Sequence, residues 1–211
     1  MDGAGQAVLA GDTTSTDVPG LGTPVGASDL FVVKLNTSGT AIQRTLIGGS
    51  GAETMLALSE DMARALALDS SGNISVGASS TSTNFPTTSG AYDRSCGSDG
   101  LCNSSSSDGV IIRLTASGSL SYGTYLGAEG QDQLIALALD SSSAVYVTGE
   151  TRSSGFPLRA YADNTIANYE AFVSKLNLAG GGDSDLMYST FLGGASDDNG
   201  EAIAVDGTGS A

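Results

Sequence analysis

The side chains of this 211-residue chain that could do chemistry are almost all carboxylates: 23 Asp and Glu stand against 8 Lys and Arg, and there is no histidine. Without an imidazole, the ordinary Ser-His-Asp and Cys-His systems and every His-based metal site are excluded. What remains is acid and base work by paired carboxylates, or oxygen ligation of a hard cation. Carboxylates recur at Glu53, at Glu129 with Asp132, and at Asp197 and Asp198 with Glu201. Asp197-Asp198-Asn199 is the densest set and forms the candidate calcium site, although it lacks the EF-hand pattern. The plainer use of such residues is turn formation and solvation.

The two cysteines, Cys96 and Cys102, stand six positions apart in the polar, Gly-containing segment Ser95 to Ser107. That spacing lets the Cα atoms approach within the roughly 4.4–6.8 Å a disulfide needs, whereas two thiolates without His are a poor ligand set. A Cys96–Cys102 bond is expected, pointing to an oxidising compartment. Because the loop is short and peripheral in the sequence pattern, its reduction is expected to change the fold little. Asn36-Thr-Ser, Asn73-Ile-Ser and Asn103-Ser-Ser match the glycosylation sequon, a pattern that Ser-rich chains meet by chance.

A formal charge of −15 and a pI near 4.1 exclude nucleic acid and anionic membrane surfaces as partners, since both need a basic patch. No apolar run approaches the roughly 20 residues that span a bilayer, so membrane insertion is not expected. Met1-Asp-Gly-Ala-Gly has no basic region leading into an apolar one, so a secretory signal, if the protein uses one, is expected to be absent from this chain.

The elements that carry these residues repeat. Leu134 to Leu139 is an unbroken apolar run, Asp140-Ser-Ser-Ser is turn chemistry, and Val145 to Thr148 is rich in β-branched and aromatic residues. The hairpin so defined runs on to Phe156-Pro157, and Asp140 to Pro157 is 17 positions. Asp69 to Pro86 and Asp2 to Pro19 have the same spacing, and Ala202-Ile-Ala-Val-Asp206 begins a further copy. Between the hairpins, Leu30-Phe-Val-Val-Lys-Leu35, Gly109-Val-Ile-Ile-Arg-Leu114 and Ala171-Phe-Val-Ser-Lys-Leu176 align. Each leads through a turn into Arg44-Thr-Leu-Ile-Gly48, Gly123-Thr-Tyr-Leu-Gly127 or Ser189-Thr-Phe-Leu-Gly193. Four short strands per period, over periods of about 2–68, 69–139 and 140–205 with a partial repeat at 206–211, predict an all-β chain of about three four-stranded β-propeller blades. The repeats run without a linker, so residues 1–211 read as a single array.

The wording FVVKL, TLIGG, ALALDSSGNISV and STNFPTTSGAY, with STFLGGASDDNGEAIAVD, resembles the SBBP repeats, bacterial β-propeller repeats of secreted and surface proteins. The resemblance covers nearly the whole chain. It implies a blade built from AIAVD-type, VYVTG-type, FVVKL-type and TFLGG-type strands, with the first nearest the axis. It implies little about activity, since propellers host many functions.

Departures from the repeat mark further expectations. Gly48 to Asp69 is 21 positions where Gly127 to Asp140 and Gly193 to Asp206 are each 13, so eight additional residues within Gly51 to Met62 are expected to form a helical turn. The segments after each Phe-Pro or Val-Pro (Thr87 to Asp108, Leu158 to Glu170, Gly20 to Ser28) are the most variable and would hold any binding specificity. Tyr92, Tyr161 and Tyr169 lie in them, with packing on the strand edges the plainer role.

The first functional expectation is a non-enzymatic, extracellular or cell-surface structural module for adhesion or assembly, with surface glycans or proteins as partners. A calcium-dependent carbohydrate-binding module is the alternative, and a carboxylate-based hydrolase or lyase ranks below both. Three blades are too few for an ordinary ring of about 4–8. The N-terminal strands of one chain, or neighbouring blades of a longer one, are therefore expected to complete the C-terminal blade by strand addition.

Overall fold

The computed structural model describes residues 3, 5–55, 65–97, 100, 102 and 106–211. The hairpin start at Asp2, the centre of the eight-residue insertion with its expected helical turn, and the Asn103 sequon therefore lie outside the described residues.

Strands form where the sequence is rich in Val, Ile, Leu and Tyr, and those ending at Leu68 and Leu139 run into a repeated Asp turn. In Asp69, Asp140 and Asp206 alike, Oδ1 accepts the amide protons of the residues two and four positions on. The backbone closes with the Asp N–H on the carbonyl four positions on, at 3.0, 3.1 and 2.9 Å. This turn needs a left-handed residue, supplied by Gly72 (φ 79°), Ser143 (φ 66°) and Gly209 (φ 85°).

The chain is all-β and makes three antiparallel sheets. The first has the order β1 (Ala7–Thr13), β2 (Asp29–Leu35), β3 (Ala41–Ile47). In the second, β4 (Glu53–Thr54) and β5 (Leu66–Leu68) both pair with β6 (Ile74–Ser80), followed by β7 (Asp108–Leu114) and β8 (Leu120–Leu126). The third runs β9 (Asp132–Leu139), β10 (Val145–Thr151), β11 (Glu170–Leu176), β12 (Leu186–Leu192). Registers repeat with the sequence: Leu68 faces Ile74 as Leu139 faces Val145.

Three differences from expectation have local causes. The first sheet has three strands among the described residues rather than four. The insertion splits the leading strand of the second sheet into β4 and β5. Ala202 to Val205, expected to start a new hairpin, joins no ladder, although the turn at Asp206 that should follow it is fully formed. The described residues close no barrel or ring.

The sheets stack face to face through two apolar cores. Val8, Ala10, Leu30, Val32 and Ile47 of the first meet Ile74, Val76, Val110 and Ile112 of the second. The opposite face of the second, with Ile111, Tyr122 and Leu126, meets Leu134, Leu137, Val147 and Phe172 of the third. Two faces are left open. Leu126 is 0% exposed, but Leu192 at the matching position of the third sheet is 54% exposed; Val76 is 1% exposed, but its match Leu9 in the first sheet is 53%.

Candidate functional site

The carboxylates are built into the junctions between sheets. A strand-opening acid, Asp29, Asp108 or Glu170, lies beside a second acid, Glu53, Asp132 or Asp198, about 25 residues later. The second acid is held by its own N–H, which donates to the carbonyl just before the first, from Glu53 to Ser28 at 3.0 Å, Asp132 to Ser107 at 2.7 Å and Asp198 to Tyr169 at 2.9 Å. The Gly that ends each TFLGG-type strand lies between them. A Cβ on Gly48 would stand 2.4 Å from Asp29 Oδ1 and from Glu53 Oε2, and on Gly127 2.7 Å from Asp108 Oδ1 and from Asp132 Oδ2. On Gly193 it would run into Glu170 and stand 2.8 Å from Asp198 Oδ2. Only glycine permits that closeness.

The hydroxyl donors for the second acid come from the next hairpin, and an amide donor from the Gly-Gly or Gly-Ala turn just before it. Glu53 Oε1 accepts the Ser80 hydroxyl at 2.7 Å and that of Ser82, and its Oε2 accepts the Gly49 amide at 2.8 Å. Asp132 repeats this with Thr151, Ser153 at 2.8 Å and the Ala128 amide at 2.7 Å. The hydroxyl pair is itself a fixed unit, since the N–H of Ser82 donates to Ser80 Oγ and that of Ser153 to Thr151 Oγ1, both at 3.0 Å.

Burial and the neighbouring acids set the protonation of the central pair. Desolvation, with Asp132 and Asp93 adding repulsion, pushes Asp108 up to about 8 against the single amide of Gly97. Asp132 rises to about 6, mainly by burial, its three donors holding it below its partner. Asp108 Oδ1 and Glu170 Oε2 are buried with no hydrogen-bond partner among the described residues. Glu53 and Asp132 are 0% exposed, so neither can touch a substrate directly.

The remaining sequence candidates are dispersed. Asp197 Oδ1 accepts the Tyr169 amide at 3.4 Å, and Asp198 Oδ2 that of Gly194 at 2.7 Å. Asn199, in the amide orientation that satisfies both its atoms, donates to Glu150 Oε2 at 2.6 Å. The three side chains thus face three different partners among the described residues. Glu129 is exposed and accepts from Ser154 and Gly155, while Glu201 is exposed at the start of the unpaired segment.

Cys96 and Cys102 are joined, with Cα atoms 5.6 Å apart. The loop is not peripheral: Cys96 is wholly buried in the core between the first two sheets, and a carboxylate oxygen of Asp108 lies within 4.8 Å of both sulfurs.

The variable segments lie along the outer strands. Asp93 N–H donates to Thr124 Oγ1 and Asp163 N–H to Thr190 Oγ1, while the amides of Tyr125 and Phe191 donate to the carbonyls of Asp93 and Asp163. The chain thereby covers the free edges of β8 and β12. Tyr92 is half-buried and Tyr169 carries Arg152 over its ring at 4.5 Å; Tyr161 is exposed. An open pocket of about 370 Å³ lies between Thr148, Val173, Tyr188 and Leu192 of the third sheet and the segment Ala202–Ala204. The sequence signal for the junctions, Ser or Thr, any residue, then Ser just before Phe-Pro, was present but is easily taken for turn composition.

No protein-family model matches the chain, and no curated protein sequence matches it.

Proposed function

We propose that the protein is a structural and interaction module of propeller-type blades, of the SBBP kind, that works outside the cell or on its surface and assembles by continuing its own stack. The observation that carries this reading is the pair of open apolar faces: Leu192 and Leu9 are exposed where their matches, Leu126 and Val76, are buried between sheets. Such faces are the same surfaces that already pack within the chain, so each is suited to the other. Assembly is favoured over loop-based adhesion because the variable segments run along their own outer strands.

Light scattering over a dilution series tests the reading. Concentration-dependent growth in mass is expected at micromolar chain, and a folded monomer throughout the series defeats it. Calorimetry with calcium, then a glycan array with and without chelator, should give no binding; calcium-dependent glycan capture would move the assignment to a carbohydrate-binding module.

A further inference from the structure

The junction chemistry is complete twice in this chain and half-made twice. Asp198 is the third acid of the series, placed like Glu53 and Asp132 by its backbone bond to the preceding junction. Its equivalents each take two hydroxyl donors from the following hairpin; the one side-chain bond of Asp198 among the described residues is from the Gly194 amide. At the other end, Thr13 and Ser15 occupy the positions of Ser80 and Ser82, and of Thr151 and Ser153. They hold the same shape, Ser15 N–H donating to Thr13 Oγ1 at 3.0 Å. Among the described residues no acid is bonded to this hydroxyl pair, and Ser15 is exposed.

We infer that Asp198 of one chain docks into the Thr13–Ser15 hydroxyl pair of a second copy, forming between chains the junction that Glu53 and Asp132 form within one. The backbone supports the same pairing. Among the described residues the first-sheet edge strand β1 has a partner on one side alone, β2, and Ala202 to Val205 joins no ladder. In the register shared by Leu68 with Ile74 and Leu139 with Val145 the place opposite Val205 belongs to Ala211 of the same chain, so a second copy's β1 would enter with Val8 opposite Ala204 and Leu9 opposite Ile203. The apolar faces agree as well, since the third sheet would bring Leu192 and Val173 to the side of the first that carries Leu9. Tyr146 Oη donates to the Gly209 carbonyl at 2.8 Å and Gly200 N–H to the Gly149 carbonyl at 3.2 Å, so the donated segment is held against the third sheet at both ends. The occupant is a second copy because each half of the junction is fitted to the other half on the same sequence.

This inference rests on the self-assembly reading, and the variants separate the two. Asp198→Ala, and separately Thr13→Val with Ser15→Ala, should weaken association about 10- to 100-fold, the worth of hydrogen bonds to a charged group. Asp198→Glu and Thr13→Ser copy residues already used at Glu53 and Ser80 and should keep it. Unchanged circular dichroism of each variant shows that the chain still folds. If the unaltered chain assembles and both disruptive variants assemble equally well, the latch is wrong and the assembly reading stands. If the unaltered chain stays monomeric, both fall.

Discussion

Asp108 Oδ1, buried and without a hydrogen-bond partner among the described residues, and Asp132 Oδ2 both lie 2.7 Å from the point where a Cβ on Gly127 would sit. Burial, with the Asp132 charge adding repulsion, disfavours the ionised form of Asp108, so at neutral pH the proton belongs on Asp108. Asp132, with two hydroxyls and an amide, is the member equipped to carry the charge.

Stability should therefore fall as pH rises across neutrality. Both folded-state values, about 8 for Asp108 and about 6 for Asp132, lie above the ordinary value of 3.8. The folded chain thus binds more protons than the unfolded chain between about pH 4 and 8, and the contribution is lost as pH climbs through that window. At roughly 1.4 kcal/mol per pKa unit, the rise at Asp132 corresponds to a loss of about 3 kcal/mol and that at Asp108 to one of about 6. Urea denaturation at pH 5, 7 and 9 reads it. Asp108→Asn should flatten the profile, and an equally steep profile in that variant would assign the effect to the general charge of −15 instead.

The two residues of the Gly-Gly motif should respond oppositely. Gly127→Ala drives a methyl into the Asp108 and Asp132 carboxylates and should cost about 2–3 kcal/mol, in the range of an overpacked core. Gly194→Ala meets nothing within 4 Å, and Ala128 already occupies the matching place in the preceding repeat. It should be neutral or slightly stabilising. Comparable losses at both sites, measured by thermal melting, would remove the carboxylate pair as the reason for the glycine.

Ser143 holds φ 66° where the sister turns use Gly72 and Gly209. Ser143→Gly relieves the left-handed strain and should stabilise by about 0.5–1 kcal/mol, while Gly72→Ser should do the reverse. Its carbonyl, which accepts from Arg113, is retained in the variant. A lower denaturation midpoint for Ser143→Gly would show that the hydroxyl matters more than the backbone.

The strands were legible because period and chemistry agreed: Val145 to Thr151, Glu170 to Leu176 and Leu186 to Leu192 appear where apolar and β-branched residues recur at fixed distances from Asp140. The recurrence of Glu53, Asp132 and Asp198 was visible too. Their partners Asp29, Asp108 and Glu170 were not, because an acid opening a strand looks like a turn residue until the strand is placed beside the next junction. At Asp197-Asp198-Asn199 the sequence shows density but not direction, since neighbours in extended chain point different ways and the three side chains bond to Tyr169, Gly194 and Glu150. The loops were legible as variable segments, but not the anchoring of the Asp93 and Asp163 amides on Thr124 and Thr190, contacts about 30 residues away in sequence.

Reducing the Cys96–Cys102 bond should weaken the fold and sharpen its pH dependence together. Closing so short a loop is worth about 2 kcal/mol on the chain-entropy account, and Cys96 sits in the core, so the cost of reduction should be measurable. The further effect comes from Gly97, inside the loop, whose amide donates to Asp108 Oδ2 at 2.9 Å. That amide is the one hydrogen bond among the described residues that favours the ionised form of Asp108. Releasing the loop loosens it, so Asp108 should hold its proton to higher pH and the deprotonated chain should become less stable still. Thiol titration of unfolded, unreduced protein should find no free thiol, and two per chain would refute the bond. Urea denaturation with and without reductant should then show a larger loss at pH 8 than at pH 6. An equal loss at both values would mean that the loop and the Asp108–Asp132 pair stabilise the junction independently.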